Sequence, residues 1–325
     1  MKNIVLIGYG YWGKILANQL NITKGINFVG VQDNNNFVEK EFKKKFPKKK
    51  FFKNLKEITK INYDIDGAVV ATNFRSLYKV TKNLLNNKIH CLVEKPVSRS
   101  SKLIKNLKKI SEKNQVICSP GYIFLHNNHI QYIKKKVLEK KILGKIRIIT
   151  FERTNLGPIR EDLNSIWDLA SHDVSILKYF FKDEIKIENK LSKDFLKKNV
   201  SDYALINFSI KKKIYGFIHC SWLNPKKERR ITIVGDKKML VWNDLDQNKP
   251  IIIYDKSVKK KSIMVENFVQ YKNYLYSGKE IVPKIKSKTP LENELTSFIS
   301  SMDKNKNFVD LDLAISVTKN LNKIK

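Results

Sequence analysis

The sequence predicts an α/β protein: an N-terminal doubly wound parallel sheet followed by a C-terminal α+β domain built on a mostly antiparallel sheet. Two observations give this prediction. In the first ~120 of the 325 residues, short runs that are apolar along their whole length alternate with helical patterns, as in parallel strands covered on both faces. After Gly121, strand-like segments follow one another with short turns, which is typical of an antiparallel sheet.

The N-terminal domain is expected to occupy residues 1–121, with helices between its strands. Parallel strands need such crossover connections, so the alternation itself indicates the sheet type. The strand segments are NIVLIG (3–8), NFVGVQD (27–33), IDGAVVAT (65–72), IHCLVE (89–94) and QVICS (115–119).

The C-terminal domain is expected to occupy residues 122–325. Its predicted helices lie near 128–140, across Ser165–Phe181, from Pro290 to about Met302 and from about Leu311 to Leu321. The predicted strands are KIRIITFER (145–153), DYALINFSI (202–210), KIYGFIHCSW (213–222), RRITIVG (229–235) and KMLVWN (238–243).

The charge is strongly basic, with 64 Lys and Arg against 31 Asp and Glu, a formal net charge of +33. Such a charge raises the possibility of nucleic-acid binding. The lysine runs, however, are scattered over predicted helix faces and loops, with few arginines among them, so we expect no nucleic-acid partner. A non-catalytic cofactor-binding or nucleic-acid-binding protein remains the alternative. The field of the protein would also attract a multiply anionic small molecule.

Compartment and thiol chemistry follow from other features of the sequence. No apolar run approaches the ~20 residues that a membrane span needs, so no membrane association is expected. The first strand begins at Asn3, which leaves no room for a cleavable signal peptide and favours a cytoplasmic protein. Cys91, Cys118 and Cys220 lie far apart in apolar runs, so we interpret them as small core residues.

The segment GYGYWG, Gly8 to Gly13, lies between the first strand and the first helix. Gly8 allows the tight turn, Gly10 allows close approach of a pyrophosphate, and Gly13 allows close packing of the helix. Asp33 ends the second strand 20 residues beyond Gly13, where a carboxylate bonds ribose hydroxyls and repels a 2′-phosphate. The pattern predicts a dinucleotide site that prefers NAD over NADP; the alternative is a glycine turn in a nucleotide-free domain.

Further cofactor contacts are expected from the same loop and from the neighbouring strand ends. Tyr11 and Trp12 lie within the glycine loop, where Trp12 either walls the nicotinamide pocket or packs in the core. Thr72 ends the fourth strand, and Glu94 and Lys95 follow the fifth. Strand ends of an open α/β sheet border the ligand crevice.

A polar stripe interrupts the otherwise apolar helix SIWDLASHDVSILKYFF (165–181). Asp168, His172, Ser175 and Tyr179 stand at i, i+4, i+7 and i+11, which places them on one face of an α-helix. A solvated face, an ion pair within the helix and a bound substrate are all compatible with such a stripe.

Several of these motifs together resemble the glucose-fructose oxidoreductase / inositol dehydrogenase (Gfo/Idh/MocA) family. They are G-x-G-x-W-G at the start, Glu94-Lys95-Pro96 after the fifth strand, D-x-x-x-H at Asp168 and His172, and a closing P-L-x-x-E at 290–294. The resemblance covers the whole chain. It implies a Rossmann domain and NAD(P)-dependent oxidation of a secondary alcohol of a sugar, inositol or sugar nucleotide. The segment RTNLGPIREDLNSIWDLASHD (153–173) resembles the branch associated with surface-polysaccharide and nucleotide-sugar biosynthesis; a free-sugar or inositol dehydrogenase remains the alternative.

Three residues are the candidate catalytic groups. Lys95 lies at a strand end, where Pro96 keeps it extended, and its ammonium can stabilise the negative charge that develops on the reacting oxygen. An imidazole with an ordinary pKa of about 6.5 suits His172 as general base, and Asp168 one turn earlier can orient the ring. The alternative for Lys95 is one more surface lysine in a lysine-rich chain.

Substrate contacts are expected from Arg153, Asn155 and Arg160, which match the polysaccharide branch; ordinary loop charges are the alternative. The chain departs from many family members by having no histidine across Asn73–Tyr78. HNNH at 126–129 lacks a third suitable ligand nearby, so no metal is expected. Because the sheet in this family commonly packs against a second subunit, we expect a homodimer or homotetramer. The candidate positions for that outer face are Ile231, Ile233, Leu240 and Trp242; the core of a single chain is the alternative place for them.

Overall fold

The computed structural model describes residues 1–35, 37–60, 64–265, 268–286 and 288–324. These residues form two compact units. Unit 1 comprises Met1–Asn127 and Lys288–Asn322, and unit 2 comprises Asn128–Ser287 and Lys323–Lys325. The units are therefore interleaved along the chain, whereas the sequence pattern alone suggested two contiguous domains divided at 121/122.

Helices occupy the connections between the strands of unit 1 and the C-terminal end of the chain, and others lie in unit 2. They are α1 (Tyr11–Ile22), α2 (Phe37–Lys45), α3 (Leu55–Lys60), α4 (Phe74–Asn86), α5 (Ser101–Lys113), α6 (Asn128–Tyr132), α7 (Ser171–Phe180), α8 (Pro290–Lys304) and α9 (Leu311–Lys323). A 3₁₀ turn, Ile123–His126, follows unit 1's last strand, and π-helical turns cover Ile133–Leu138 and Ile166–Ala170. Among the described residues, no helix is both long enough and apolar enough to cross a membrane.

Unit 1 contains a parallel sheet, six-stranded in the part of the chain that is described. Its order, β3-β2-β1-β4-β5-β6, is that of a doubly wound dinucleotide-binding fold and confirms the predicted fold class. The strands are β1 (Lys2–Ile7), β2 (Ile26–Gln32), β3 (Lys50–Phe52), β4 (Gly67–Val70), β5 (His90–Glu94) and β6 (Cys118–Gly121). The short edge strand β3 was not predicted, because three residues are too few for a periodic signal.

The C-terminal helix α8 completes the core of unit 1. Thr289 caps its N-terminus by accepting from the Glu292 N–H, and Pro290 occupies the first turn, where its missing N–H costs nothing. Its apolar face, including Leu295 and Phe298, lies in the same cluster as strand residues such as Leu6 and Leu92. The burial of this face explains why the segment belongs to unit 1 and not to the sheet that precedes it in sequence.

Unit 2 contains a mostly antiparallel sheet, eight-stranded among the described residues, in the order β14-β13-β12-β11-β7-β10-β9-β8. Only the β7–β10 pairing among these is parallel. The strands are β7 (Ile146–Leu156), β8 (Ile185–Lys193), β9 (Tyr203–Ile210), β10 (Ile214–Ser221), β11 (Leu223–Gly235), β12 (Met239–Asn243), β13 (Ile251–Val265) and β14 (Phe268–Ile281). The α+β prediction for this part is confirmed.

The four residues expected on an outer sheet face are buried within the single chain. Ile231, Ile233, Leu240 and Trp242 are all at most 1% exposed. They belong to the protomer's own core, and that expectation was wrong. Strand alternation places their neighbours Thr232 and Val241, which are half-buried, on the opposite face.

The three cysteines are buried free thiols, as predicted. Burial raises the pKa of the Cys118 and Cys220 thiols to about 12. The pKa of Cys91 is also raised, by burial first and by Cys118 second. Thiols in this state are unreactive and act as small apolar side chains.

Candidate active site

The glycine turn after β1 admits no side chain at two of its positions. Gly8 has φ +98°, and a Cβ there would lie 2.6 Å from the Ala71 carbonyl oxygen. A Cβ at Gly13 would collide with the carbonyl oxygen of Gly8. The turn therefore requires glycine at both positions for reasons of backbone packing.

Gly10 has a different surrounding. A Cβ at Gly10 would meet nothing within 4 Å, so the space beside this backbone is open. Gly10 also caps α1, where no side chain bonds the free N–H groups of the first turn and no acidic residue is present. Open space beside uncapped main-chain N–H donors at a helix N-terminus fits a dinucleotide pyrophosphate.

Asp33 follows β2 and is held against the glycine turn. Its Oδ2 atom accepts from the Tyr9 N–H at 2.7 Å, and its Oδ1 atom accepts from the Asn35 N–H at 2.8 Å. An ionised carboxylate has about four acceptor sites, so these two bonds leave capacity for ribose hydroxyls. The geometry suits the expected role of Asp33.

The glycine loop and the end of β5 are joined by a side-chain bond. Trp12 donates its indole N–H to Oε1 of Glu94, and the Lys95 main-chain N–H donates to Oε2 of the same carboxylate at 3.2 Å. Trp12 also packs against the core of unit 1, whereas Tyr11 is 80% exposed. Thr72, after β4, is half-buried and its hydroxyl makes a long bond of 3.4 Å to the Asn73 carbonyl. Glu94 thus fixes both Trp12 and the backbone that carries Lys95.

In unit 2, Asp168 lies in the π-helical turn Ile166–Ala170 and His172 in the first turn of α7. The expectation of one regular 3.6-residue stripe was therefore wrong, because the π turn changes the angular spacing before α7 begins. Ser175 is buried and donates to the His172 carbonyl at 2.6 Å, while Asp168 and His172 are half-buried. π turns are frequent at functional sites.

The Asp168 carboxylate is held by contacts that include Trp222 and Arg160. The Trp222 indole N–H donates to Oδ2 at 3.3 Å, and the Arg160 guanidinium lies 3.6 Å from Oδ1. Arg160 also makes a two-pronged contact with Asp162 at 2.9 and 2.8 Å. Burial works to lower the pKa of Arg160, but the carboxylates of Asp162 and Asp168 outweigh it and raise that pKa above its ordinary value.

Arg153 lies in β7 and is buried. Its guanidinium pairs with Asp173, with Nε 3.0 Å and Nη2 2.7 Å from Oδ1, and the two side chains are only 5% and 2% exposed. Asp173 is the residue next to His172 in α7. Asn155 is half-buried and donates its amide to the Gly157 carbonyl.

Sequence reasoning missed two members of this set, Trp222 and Asp173. Trp222 stands at the end of an apolar strand, where a tryptophan is ordinarily a core residue, and nothing local distinguishes it. Asp173 directly follows His172, so a charged residue on the apolar side of a helix was the available signal for it. No group of three or more His, Cys, Asp and Glu is placed to hold a metal ion in the ranges that the structure covers.

Comparison with protein families gives two matches. Residues 2–122 match the model described as the oxidoreductase family, NAD-binding Rossmann fold (Gfo/Idh/MocA), and residues 133–241 match the model of the Gfo/Idh/MocA C-terminal domain. A search of curated protein sequences found no match for this chain.

Solved structures share the fold along the whole chain. UDP-N-acetylglucosamine 3-dehydrogenase from Acidithiobacillus ferrooxidans has a TM-score of 0.80 at 16% identity, with 99% of this chain and 96% of that chain covered. GenD2 from gentamicin A biosynthesis, in complex with NAD, gives 0.80 at 16% identity, with 99% and 92% covered. A 3-ketoreductase from Actinomadura kijaniata, in complex with TDP-benzene and NADP, gives 0.79 at 9% identity, with 99% and 96% covered.

Proposed function

Because the chain belongs to the Gfo/Idh/MocA family of NAD(P)-dependent oxidoreductases, we propose that it oxidises a secondary ring hydroxyl of a sugar. The proposed substrate is a nucleotide sugar in surface-polysaccharide biosynthesis. The observation that carries the proposal is the organised pair in unit 2. Asp168 is held by Trp222 and Arg160 next to the helical turn that carries a half-buried His172.

NAD is the proposed cofactor, on the strength of Asp33. A carboxylate fixed by the Tyr9 and Asn35 N–H groups would accept bonds from ribose hydroxyls and repel a 2′-phosphate. Gly10 and the first turn of α1 would hold the pyrophosphate, in a turn whose close backbone packing requires Gly8 and Gly13. Tyr11, Trp12, Thr72 and Glu94 are further proposed contacts. When bound, the nicotinamide ring supplies the acceptor for the hydride.

The protein's own residues then accept the hydroxyl proton and stabilise the charge on the reacting oxygen. Oxidation breaks the carbinol C–H bond and the O–H bond, and the C–O bond becomes a carbonyl. His172 takes the hydroxyl proton on an imidazole nitrogen, and Asp168 orients the ring. The Lys95 ammonium stabilises the negative charge that grows on the oxygen as the C–H bond breaks.

A multiply anionic substrate is supported by charge. The formal net charge of +33 attracts nucleotide diphosphates over long range. Arg160 and Asn155 are half-buried, and we propose them as substrate contacts together with Arg153. Because Arg153 is buried against Asp173, its contribution in the resting protein is to fix the strand that carries Asn155.

The experiment is a substrate screen that follows NADH formation. UDP- and dTDP-sugars are compared with the corresponding free sugars and with myo-inositol at equal concentration. Faster turnover with a nucleotide sugar supports the proposal. Turnover with only free sugars or inositol would contradict the nucleotide-sugar assignment, and no turnover with any of them would contradict the proposed substrate class.

A further inference from the structure

The β8–β9 loop (residues 193–199, including the last residue of β8) presents two consecutive apolar side chains to solvent. Phe195 is 68% exposed and Leu196 is 51% exposed. Single apolar residues scattered over a surface are ordinary, whereas neighbouring exposed ones are typical of interaction sites. The proposed reaction uses neither side chain, so their exposure needs another explanation.

Hydrogen bonds hold this loop in a defined conformation. The Leu196 N–H donates to Oδ2 of Asp202 at 2.7 Å, and Asp202 is 1% exposed. The Asn199 N–H donates to Oδ2 of Asp194 at 2.7 Å, and the Asp202 N–H donates to the Lys193 carbonyl at 3.0 Å. These bonds fix the main chain that carries the two exposed apolar side chains.

Basic side chains surround the exposed apolar pair. Lys193, Lys197 and Lys198 are exposed, and Asp194 is the one acid among residues 193–199. Three lysines against one aspartate give the loop a formal charge of +2. Apolar side chains flanked by lysines are typical of segments that bind anionic lipid surfaces. There the apolar groups enter the interface while the ammonium groups stay among the headgroups.

An anionic lipid surface fits this loop better than the other large partners do. A second copy of the chain carries the same formal net charge of +33 and would repel the first over long range. A single-stranded nucleic acid would match the charge of the loop, and Phe195 could stack on a base. Leu196, however, offers no aromatic face for stacking. A lipid interface accommodates both apolar side chains and the lysines beside them.

The loop lies at the end of the unit 2 sheet that carries the candidate carboxylate. β9 begins at Tyr203, which pairs with Ser221 near the end of β10, and Ser221 pairs with Thr154 near the end of β7. Just beyond the loop, the Ser201 carbonyl accepts from the Ser165 N–H at 2.8 Å. Ser165 directly precedes the π turn of the candidate site. A surface that contacts the loop is therefore at the same end of this sheet as that turn.

We propose that the β8–β9 loop is a peripheral docking site for an anionic lipid surface, in which Phe195 and Leu196 enter the interface and the lysines contact the headgroups. A contact of this kind needs no membrane-spanning helix, so it agrees with the finding that no helix in the described ranges can cross a membrane. It replaces the expectation of no membrane association. The proposal does not depend on the proposed substrate, and its tests use no turnover.

The first test separates apolar insertion from diffuse charge, because a protein of +33 also adheres to anionic vesicles through charge alone. Phe195→Ser combined with Leu196→Ser keeps every charge and the main-chain bond of residue 196 to Asp202. Cosedimentation is measured with vesicles of phosphatidylcholine and phosphatidylglycerol. The apparent Kd of the double variant is expected to rise by about tenfold or more, since two apolar side chains no longer leave water.

Phe37→Ser is the matched control for the double variant. Phe37 is 90% exposed on the lysine-rich helix α2 in unit 1, and its replacement should leave the apparent Kd unchanged. Equal binding of the double variant and Phe37→Ser would overturn the docking site, as would an unmodified protein that stays in the supernatant. A lower mass of the double variant in light scattering without vesicles would assign the loop to a contact between copies and also overturn the proposal.

The second test locates the insertion with a thiol-reactive fluorophore that senses polarity. Cys91, Cys118 and Cys220 are buried, so the fluorophore attaches at the introduced thiol of Phe195→Cys in the folded protein. With the same anionic vesicles we expect its emission to shift to shorter wavelength, and the emission of labelled Phe37→Cys to stay unchanged. Equal shifts at both positions, or no shift for Phe195→Cys, would overturn the insertion of this loop.

Discussion

Trp222 donates its indole N–H to Oδ2 of Asp168 at 3.3 Å, which ties a buried residue after β10 to the π turn before α7. Arg160 approaches the other carboxylate oxygen at 3.6 Å. Asp168 therefore has a fixed orientation that does not depend on a bound substrate. Such a carboxylate can orient a neighbouring imidazole without being reorganised during the reaction.

Asp33 is expected to determine the choice between NAD and NADP. Asp33→Ser, and the closer mimic Asp33→Asn, remove the charge that repels a 2′-phosphate. We expect the ratio of NADP affinity to NAD affinity to rise by about tenfold or more, because the carboxylate no longer repels the 2′-phosphate of NADP and no longer accepts from the ribose hydroxyls of NAD. Titration calorimetry with both dinucleotides measures this ratio.

Asn35→Ala is the matched control, because Asn35 follows the same strand and its main-chain bond to Asp33 survives the substitution. It should leave the ratio unchanged. An unmodified protein that already binds NADP more tightly than NAD would show that Asp33 does not have the assigned role.

Lys95→Ala is expected to reduce turnover by about 10² or more, the usual effect of removing a positioned donor to a developing oxyanion. The Lys95 main-chain N–H to Glu94 remains, so the fold and the bond between Trp12 and Glu94 should persist. Steady-state kinetics give the rate, and NAD titration tests the binding. Lys82→Ala on the exposed side of α4 is the control. Turnover equal to that of the control would make Lys95 a structural lysine.

Removing one partner of the Arg153–Asp173 pair should strongly destabilise the protein. With both side chains at most 5% exposed, Arg153→Met leaves Asp173 buried without this guanidinium, at a cost of about 3–5 kcal/mol. The double replacement Arg153→Met with Asp173→Leu should recover much of that loss. Urea unfolding measures both.

The exposed pair between Arg147 and Asp236 is the control for that prediction. Its atoms are 4.0 Å apart and the Arg147 side chain is 58% exposed, so Arg147→Met should cost no more than about 1 kcal/mol. Equal losses in the free energy of unfolding for Arg153→Met and Arg147→Met would show that the buried pair contributes no more to stability than the exposed pair.

A homodimer or homotetramer stays our prediction for the assembly. The half-buried face that includes Thr232 and Val241 is the candidate contact, since Ile231 and Trp242 belong to the protomer's core. Light scattering should give the mass of two or four 38.0 kDa chains. Thr232→Lys with Val241→Lys should lower that mass. A monomeric mass for the unmodified protein would refute the prediction.

The parts of the fold that depend on local pattern were predictable from sequence, and those that depend on distant packing were not. Runs that are apolar along their whole length predicted the parallel sheet. The spacing of Gly8, Gly10 and Gly13 predicted the dinucleotide site at the end of its first strand. The three residues of β3 carry too little pattern. The placement of α8 depends on Leu295 and Phe298, which lie in one core cluster with Leu6 and Leu92. Those strand residues stand more than 200 positions earlier in the sequence.

In the candidate site, too, some features were predictable from local sequence pattern and others were not. Asp168 and His172 are visible in the sequence because polar residues interrupt an apolar helix. The π turn is invisible, since it arises where Ile166–Ala170 packs against β7 and β10 and not from a residue preference. Pattern alone also cannot show that Ile231 and Trp242 face inward, because both faces of that sheet carry apolar residues.

The most direct measurement of the central claim is the pH profile of sugar oxidation by the unmodified protein, His172→Ala and Asp168→Asn. We expect His172→Ala to reduce the rate by about 10² to 10⁴, with NAD affinity nearly unchanged, and to abolish the acid limb that comes from titration of the imidazole. Asp168→Asn should cost less, because it leaves the base in place. If His172→Ala oxidises the substrate at a near-normal rate with the same pH profile, His172 is not the general base and the proposed mechanism is contradicted.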